Sequence, residues 1–423
     1  MQSLWLSVTF AAALLVSVAL KFWLATRQMR HVAAHRAAVP AAFAATVPLA
    51  AHQKAADYTL VRSRFALLSL ALGSAVLLGW TLLGGLDVLN TVVRDAVQPR
   101  FGSMAYQLAL LVAFVLIGGS LDAPLEIYNT FRIEQRFGFN RMTWRLYLAD
   151  VAKGLLIGAA IGLPLAALVL WLMASAGAWW WLAAWLAWVA FQLLMLVIYP
   201  TIIAPLFNKF EPLPDESLKQ RVQALMARCG FAAKGLFVMD GSRRSAHANA
   251  YFTGLGAAKR VVFFDTLLAR LTAGEVEAVL AHELGHFKLR HVPKRMATIF
   301  AASLAALALL GWLSQQQWFY TGLGVTPNLG APNDALALLL FLLALPPFGF
   351  MLMPLAARVS RRHEFEADAY ACAHASGRDL ANALLKLHED NAGTLTPDPV
   401  YVAFYYSHPA ASERLAALRM EPA

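Results

Sequence analysis

Charge is scarce in this sequence. Only 14% of its 423 residues are Asp, Glu, Lys or Arg, while 59% are hydrophobic, more apolar side chain than one soluble core of this length can use. An ordinary soluble enzyme is therefore excluded, and a membrane is the expected solvent. Cysteine is also sparse: Cys229 and Cys372 are the only two. They are too few for a disulfide framework, and neither has a nearby Cys or His at zinc-ribbon spacing. No Lys or Arg precedes the first apolar run, whereas Lys21, Arg27 and Arg30 follow it. That order is the reverse of a cleaved secretory signal, so the first run is expected to remain as a membrane span. The net charge of +10 would suit nucleic acid, but the basic residues fall in the short segments between apolar runs, where a bilayer topology places them. Nucleic-acid binding is not expected.

About 20 apolar residues cross a bilayer core, and seven runs qualify, at about 4–24, 65–86, 104–122, 154–173, 179–202, 296–314 and 335–357. The fourth and fifth come from one stretch, Lys153 to Lys209, with no charged residue between its ends. Ala174-Ser175-Ala176-Gly177 is its one plausible turn, and Trp171, Trp179, Trp180 and Trp181 crowd it as an interfacial aromatic belt would. Lys and Arg are retained on the cytoplasmic side. Arg27, Arg30, Arg36, Lys54, Arg62 and Arg64 mark the first loop, and Arg132, Arg136, Arg141, Arg145 and Lys153 the third. The expectation is an N-terminus outside, with segment 204–295 and the C-terminal tail in the cytoplasm. The chain then divides into spans one to five (1–203), a catalytic segment (204–295), spans six and seven (296–358) and a C-terminal part (359–423).

Segment 204–295 reads as a small mixed α+β unit. Asp215 is placed to cap a helix over about 216–229, with Gly230 closing it. Strands are expected at Leu236 to Met239, Ala250 to Thr253 and Val261 to Phe264, the last two joined through Gly254-Leu255-Gly256 as a hairpin. Thr272-Ala273-Gly274-Glu275 has the form of a capping box opening a helix to about Arg290.

That helix contains His282-Glu283-Leu284-Gly285-His286. Two histidines four apart project from one helix face, so both imidazoles can reach one tetrahedral ion, and Glu283 lies beside them where a carboxylate can take a proton from a hydrolytic water. Such a pentapeptide arises by chance in on the order of one chain in a hundred of this composition. The plain reading is a solvated helix with ordinary polar residues. Against it, Val276 to Leu284 is largely apolar, and burying these polar groups without partners would be costly. A catalytic zinc wants a third protein ligand and an open fourth position, and His363-Glu364-Phe365-Glu366-Ala367-Asp368 offers candidates. Glu364 and Asp368 share a helix face, which suits Glu364 as ligand and Asp368 as acceptor for the N–H of a ligating histidine. Glu366 points away and reads as a surface charge. Spacing alone leaves Glu364 equally able to pair with Arg361 or Arg362.

These residues carry a resemblance. Pro205-Leu206-Phe207-Asn208-Lys209-Phe210, Asp240-Gly241-Ser242-Arg243-Arg244-Ser245, Asn249-Ala250-Tyr251-Phe252, the His282–His286 motif, Ser360 to Asp368, Ser407-His408-Pro409 and, earlier, Glu134-Gln135-Arg136-Phe137-Gly138-Phe139-Asn140 look like motifs of the integral-membrane CAAX prenyl protease type 1 family of zinc metallopeptidases. The match runs over nearly the whole chain. It implies a mainly α integral membrane protein of seven transmembrane helices enclosing a chamber, capped by a cytoplasmic zincin-like α+β metallopeptidase domain with one Zn2+ per chain. It also implies Glu364 as third ligand, Asn249 holding the substrate backbone, His408 stabilising the oxyanion, and Arg414 contacting substrate near its C-terminal end. From the residues themselves, Asn249 serves equally as a turn residue and His408 as a loop histidine. The chain ends in Arg-Met-Glu-Pro-Ala without an evident endoplasmic-reticulum retention signal, and its Ala- and Leu-rich composition reads as that of a bacterial inner-membrane protein. Its expected partners are the lipid bilayer and a membrane-associated or misfolded polypeptide substrate, the chain acting as a monomer. The rival classes are a non-proteolytic scaffold or chaperone, which needs no intact metal site, and a transporter, which predicts ionisable residues within spans and internal repeats. The spans here are nearly free of charge.

Overall fold

The computed structural model describes residues 1–231, 235–253 and 260–420. Seven helices are long and apolar enough to cross a membrane: Gln2–Ala34, Leu49–Trp80, Gly85–Glu134, Trp144–Ser175, Gly177–Phe207, His291–Leu313 and Asp334–His374. Each contains or overlaps one expected run. In the second to fifth of them only 6% of the most apolar window is buried, the burial of helices splayed against lipid and open space rather than closely packed on one another.

The boundaries differ from the expected ones in two places. The second helix stops at Trp80, and a turn through Gly84, at φ 79°, reverses the chain. The segment that follows, expected to be a loop, begins the helix Gly85–Tyr128, which kinks at Gly102 (φ 82°). Leu86, Leu89, Val93 and Val97 fall on one face of its first arm and pack into the membrane-side core with Tyr106, Leu110 and Leu340. Asp87, Arg94, Asp95 and Arg100 gave that arm the polarity of a loop, yet its apolar positions repeat at helical spacing. The seventh span, expected to end near 357, continues through a single tight turn at Phe350–Leu352 into the helix Met353–His374.

Outside the spans lies a four-stranded sheet: β1 (Phe210–Pro212), β2 (Gly235–Met239), β3 (Ala250–Thr253) and β4 (Arg260–Phe264), in the order β1-β2-β4-β3. β2 and β4 run parallel, and the two outer strands are antiparallel to their neighbours. The three expected strands are present and β3 pairs with β4 as a hairpin would, while the Gly254–Gly256 turn lies outside the described residues. β1 was not expected, since three residues ending in proline carry too little pattern. Asp215 accepts from the Leu218 N–H to cap Glu216–Arg228, and Gly230 takes φ 62° just beyond that helix.

The helix Ala273–Lys288 opens with the full capping box, Thr272 accepting from Glu275 N–H and the Glu275 carboxylate from Thr272 N–H. Its Val276, Leu280 and Leu284 are buried in a core with Leu225, Val261, Phe263 and Leu267. Burying that stripe fixes the helix rotation and sends His282 and His286 towards the helix Met353–His374. The chain leaves it through Arg290 in the left-handed region, φ 58°, and enters the sixth span at His291. The Glu134–Asn140 motif docks against the Asp240–Ser245 motif: Arg141 N–H donates to the Arg244 carbonyl, Ala246 N–H to that of Phe139, and Arg244 forms a paired bond to Asp150 at 2.8 and 2.9 Å.

Candidate metal centre

Two helices build the site. Ala273–Lys288 presents His282 and His286, and Met353–His374 presents Glu364 and Asp368. Their close approach depends on Gly285, where an added Cβ would lie 3.1 Å from both the Ala367 Cα and the Tyr370 Cβ. Gly285→Val should therefore overpack this contact and destabilise the protein by about 1–3 kcal/mol, with weaker metal binding, read by thermal unfolding and zinc titration. An unchanged melting temperature would contradict the packing argument.

His282 Nε2 and His286 Nε2 face each other at 3.2 Å. Glu364 places its Oε2 3.5 Å from the first and its Oε1 3.3 Å from the second. Ligand atoms about 2.0–2.1 Å from one tetrahedral ion stand roughly 3.3 Å apart, so the three residues fit a zinc-sized cation. A second observation points the same way: Glu364 Oε2 is buried and accepts no hydrogen bond from the described residues, with only His282 Nε2 at 3.5 Å and Arg414 Nη1 at 3.9 Å nearby, so a bound cation would complete the partners of this oxygen. Neither arginine that spacing offered pairs with it. Arg361 donates to the Val402 and Tyr406 carbonyls, and Arg362 pairs with Glu366.

Each histidine is held from behind. His282 Nδ1 meets Asp368 Oδ1 at 2.8 Å, and Arg414 grips the same carboxylate through Nε and Nη2 at 2.8 and 2.5 Å. Burial disfavours a charged imidazole at His282, but the Asp368 and Glu364 carboxylates outweigh it and raise its pKa to about 9. A cation entering the site has to displace that proton, so metal affinity climbs as pH rises towards 9. His286 Nδ1 lies 3.0 Å from His291 Nδ1, and His291 Nε2 lies 3.0 Å from Glu366 Oε2. Glu366 is thus half-buried and engaged with His291 as well as Arg362, not the simple surface charge expected. His291 went unnoticed in the sequence. Its signal was a further histidine five residues beyond His286.

The site opens into a cleft of about 520 Å³ lined by Asn249, His282, Glu283, His408 and Arg414, with apolar walls from Leu384 and Leu387 among others. Desolvation raises the pKa of Glu283 above the usual carboxylate range. His408 stands at the mouth with its Nε2 3.4 Å from Glu364 Oε1. Desolvation by the cleft lowers its pKa, an effect weakened because 63% of the side chain is exposed. Asn249 immediately precedes β3, the terminal strand of the sheet, and its carbonyl accepts from Phe264 N–H at 3.0 Å. Arg414 borders the cleft, where the resemblance places a substrate contact, but its guanidinium is committed mainly to Asp368.

The chain is similar to known proteins along nearly its whole length. Residues 28–209 match the family model described as CAAX prenyl protease N-terminal, five membrane helices, and residues 212–421 match peptidase family M48. It is 36% identical over 336 residues to the CAAX prenyl protease 1 homolog of Arabidopsis thaliana, covering 77% of each chain. It is 35% identical to CAAX prenyl protease 1 of Saccharomyces cerevisiae, covering 77% of this chain and 75% of that one. Against the human homolog the identity is 31%, with 97% and 95% covered. Its fold superimposes on the crystal structure of S. mikatae Ste24p with a TM-score of 0.90 and 29% identity, covering 98% of both chains.

Proposed function

The chain belongs to the CAAX prenyl protease 1 family of M48 metallopeptidases and is a membrane-embedded protease, and on that premise we propose that it hydrolyses peptide bonds with one zinc ion per chain held by His282, His286 and Glu364. The observation that carries this reading is the set of ligand atoms from His282, His286 and Glu364 at tetrahedral spacing, one of them a buried carboxylate oxygen with no hydrogen bond from the described residues.

Zinc held there would polarise the scissile carbonyl and lower the pKa of water towards ~7. Glu283 accepts a proton from the attacking water and passes it to the leaving amine, a role its raised pKa supports by making the protonated form accessible. Asp368, itself gripped by Arg414, holds the His282 ring with Nε2 towards the cation. Ser407 Oγ lies 3.0 Å from His408 Nδ1. A hydroxyl donating there leaves the imidazole N–H on Nε2, aimed towards the carboxylate of Glu364 and the reacting centre, where it can donate to the developing oxyanion. An extended polypeptide adds to the outer edge of β3 by backbone pairing, with Asn249 holding its backbone. Arg414 Nη1, 3.9 Å from Glu364 Oε2, is the part of that guanidinium left to meet substrate. We assign as substrates membrane-associated or misfolded polypeptides, cut by a monomer in a bacterial inner membrane, with the N-terminus periplasmic and the zinc site on the cytoplasmic side.

The test is elemental analysis of detergent-purified protein beside cleavage of a fluorogenic peptide. One zinc per chain, with cleavage blocked by phenanthroline, is the expected result, and a well-folded sample binding no zinc would return the scaffold reading. His408→Ala should keep its zinc and lose roughly 10²–10³ in kcat, the usual effect of removing one oxyanion donor. Unchanged turnover would remove His408 from the mechanism.

A further inference from the structure

A second cluster of ligand-type side chains adjoins the first. His291, His363 and Glu366 each bring one donor atom to within 4.8 Å of the others, and the reaction described above makes no use of His363. His363 and Glu366 lie three apart and so share a face of the helix Met353–His374, while His291 reaches them from the first position of the sixth span's helix. The His291 and His363 rings stack in parallel with centroids 4.0 Å apart, and His291 Nε2 lies 3.0 Å from Glu366 Oε2. His291 is buried, whereas His363 and Glu366 are only partly so, which leaves the cluster open on one side. Two imidazoles and a carboxylate with an approach from solvent form a donor set for zinc and similar divalent transition metals. We propose that His291, His363 and Glu366 form a second divalent-cation site, and that its occupancy inhibits the peptidase.

Two local changes would admit the cation. A bound metal lies in the plane of each imidazole it takes, so the His363 ring has to turn out of the parallel stack. Arg362, whose side chain is 80% exposed, has to release Glu366, and an exposed pair of this kind is weak.

The inhibitory sign follows from counting imidazole protons. With a metal on His286 Nε2, the one N–H of that ring is on Nδ1 and donates to His291 Nδ1, 3.0 Å away. His291 therefore carries its own N–H on Nε2, where it donates to Glu366. A cation on His291 Nε2 displaces that proton to Nδ1. No proton is released in this exchange, but two N–H groups now face each other across the His286–His291 contact. That opposition turns or loosens the His286 ring, and with it the catalytic cation. By the same coupling the second cation binds more weakly when the first is present than when it is absent. The opposition, although not the existence of the second site, rests on His286 holding the catalytic metal.

The experiment uses full-length protein in detergent, stripped with chelator and titrated with zinc, with bound metal read by equilibrium dialysis and turnover read in parallel. Wild type should bind one zinc tightly and a second at higher concentration, with activity rising and then falling. His363→Ala should bind only the first and lose the falling phase, and His363→Gln, closer in size, repeats the test should the alanine variant fold poorly. Glu364→Ala should lose the tight site yet keep the second, filled at lower zinc than in wild type but still above the range that fills the tight site. Its retention of tight zinc would count against the catalytic assignment alone. A wild type that binds only one zinc at every concentration, or a His363 variant that still binds two or is still inhibited, would overturn the second site.

Discussion

Glu283→Gln should leave one zinc bound and lower kcat by roughly 10²–10⁴-fold, the contribution of a well-placed general base. The substitution is nearly isosteric, so the cleft keeps its shape, and Glu283 is not one of the three residues whose donor atoms converge at 3.2–3.5 Å. What changes is chemistry: an amide cannot take a proton from water and return it to the leaving nitrogen. The pH profile offers an independent check. Because desolvation raises the carboxyl pKa of Glu283, the base is lost on acidification at a higher pH than an exposed glutamate would give. At zinc concentrations that keep the site filled, the acidic limb of the wild-type profile should lie correspondingly high and should be absent from whatever activity the variant retains. Zinc content by elemental analysis beside steady-state kinetics decides the matter, and turnover within a few-fold of wild type would mean that another group is the base.

Glu364→Ala should abolish both tight zinc binding and turnover, because it removes the one anionic ligand from the set. Its effect on stability separates a ligand from a structural carboxylate. In wild type, zinc at 100 times its dissociation constant adds about 2.7 kcal/mol to folding stability through binding alone, so chelator should lower the melting temperature. In the variant, zinc in the range that fills the tight site should make little difference. The metal-free variant also loses the contacts of Glu364 with His282 and His286 at 3.5 and 3.3 Å, so it should melt slightly below metal-free wild type and gain nothing from zinc in that range. A variant that unfolds far below it would show that Glu364 is held in place for packing.

How much of this was legible beforehand depended on how local the cause was. Spans could be read because crossing a bilayer imposes a length and forbids charge, and both show in the sequence. The caps at Asp215 and Thr272 and the face shared by His282 and His286 are set within four residues, so periodicity and spacing were enough. Wherever two distant segments met, spacing gave only alternatives. Nothing near Glu364 said whether it would turn to an arginine or to the histidines, since that depends on Gly285 letting its helix pack so closely on Ala367 and Tyr370 that an added Cβ would lie 3.1 Å from each. The grip of Arg414 on Asp368 and the reach of Glu366 to His291 span 46 and 75 positions, and no local pattern encodes them. The first arm of the third helix was missed for another reason. Its charges suggested a loop, whereas its apolar residues sit at helical intervals and fill a core that only the folded spans create.

The left-handed residue at Arg290 and the single turn at Phe350–Leu352 join the two helices of the candidate metal centre to the sixth and seventh spans with almost no slack. A fragment cut free of these spans should therefore fail to assemble the site. Its two histidines and its glutamate stand on opposite sides of a membrane hairpin in the chain, and a piece ending before that hairpin would keep the histidines while losing the carboxylate. Spans six and seven are the only covalent link between the two sides of the chemistry, so any detergent that distorts this hairpin should weaken zinc binding before it unfolds the sheet.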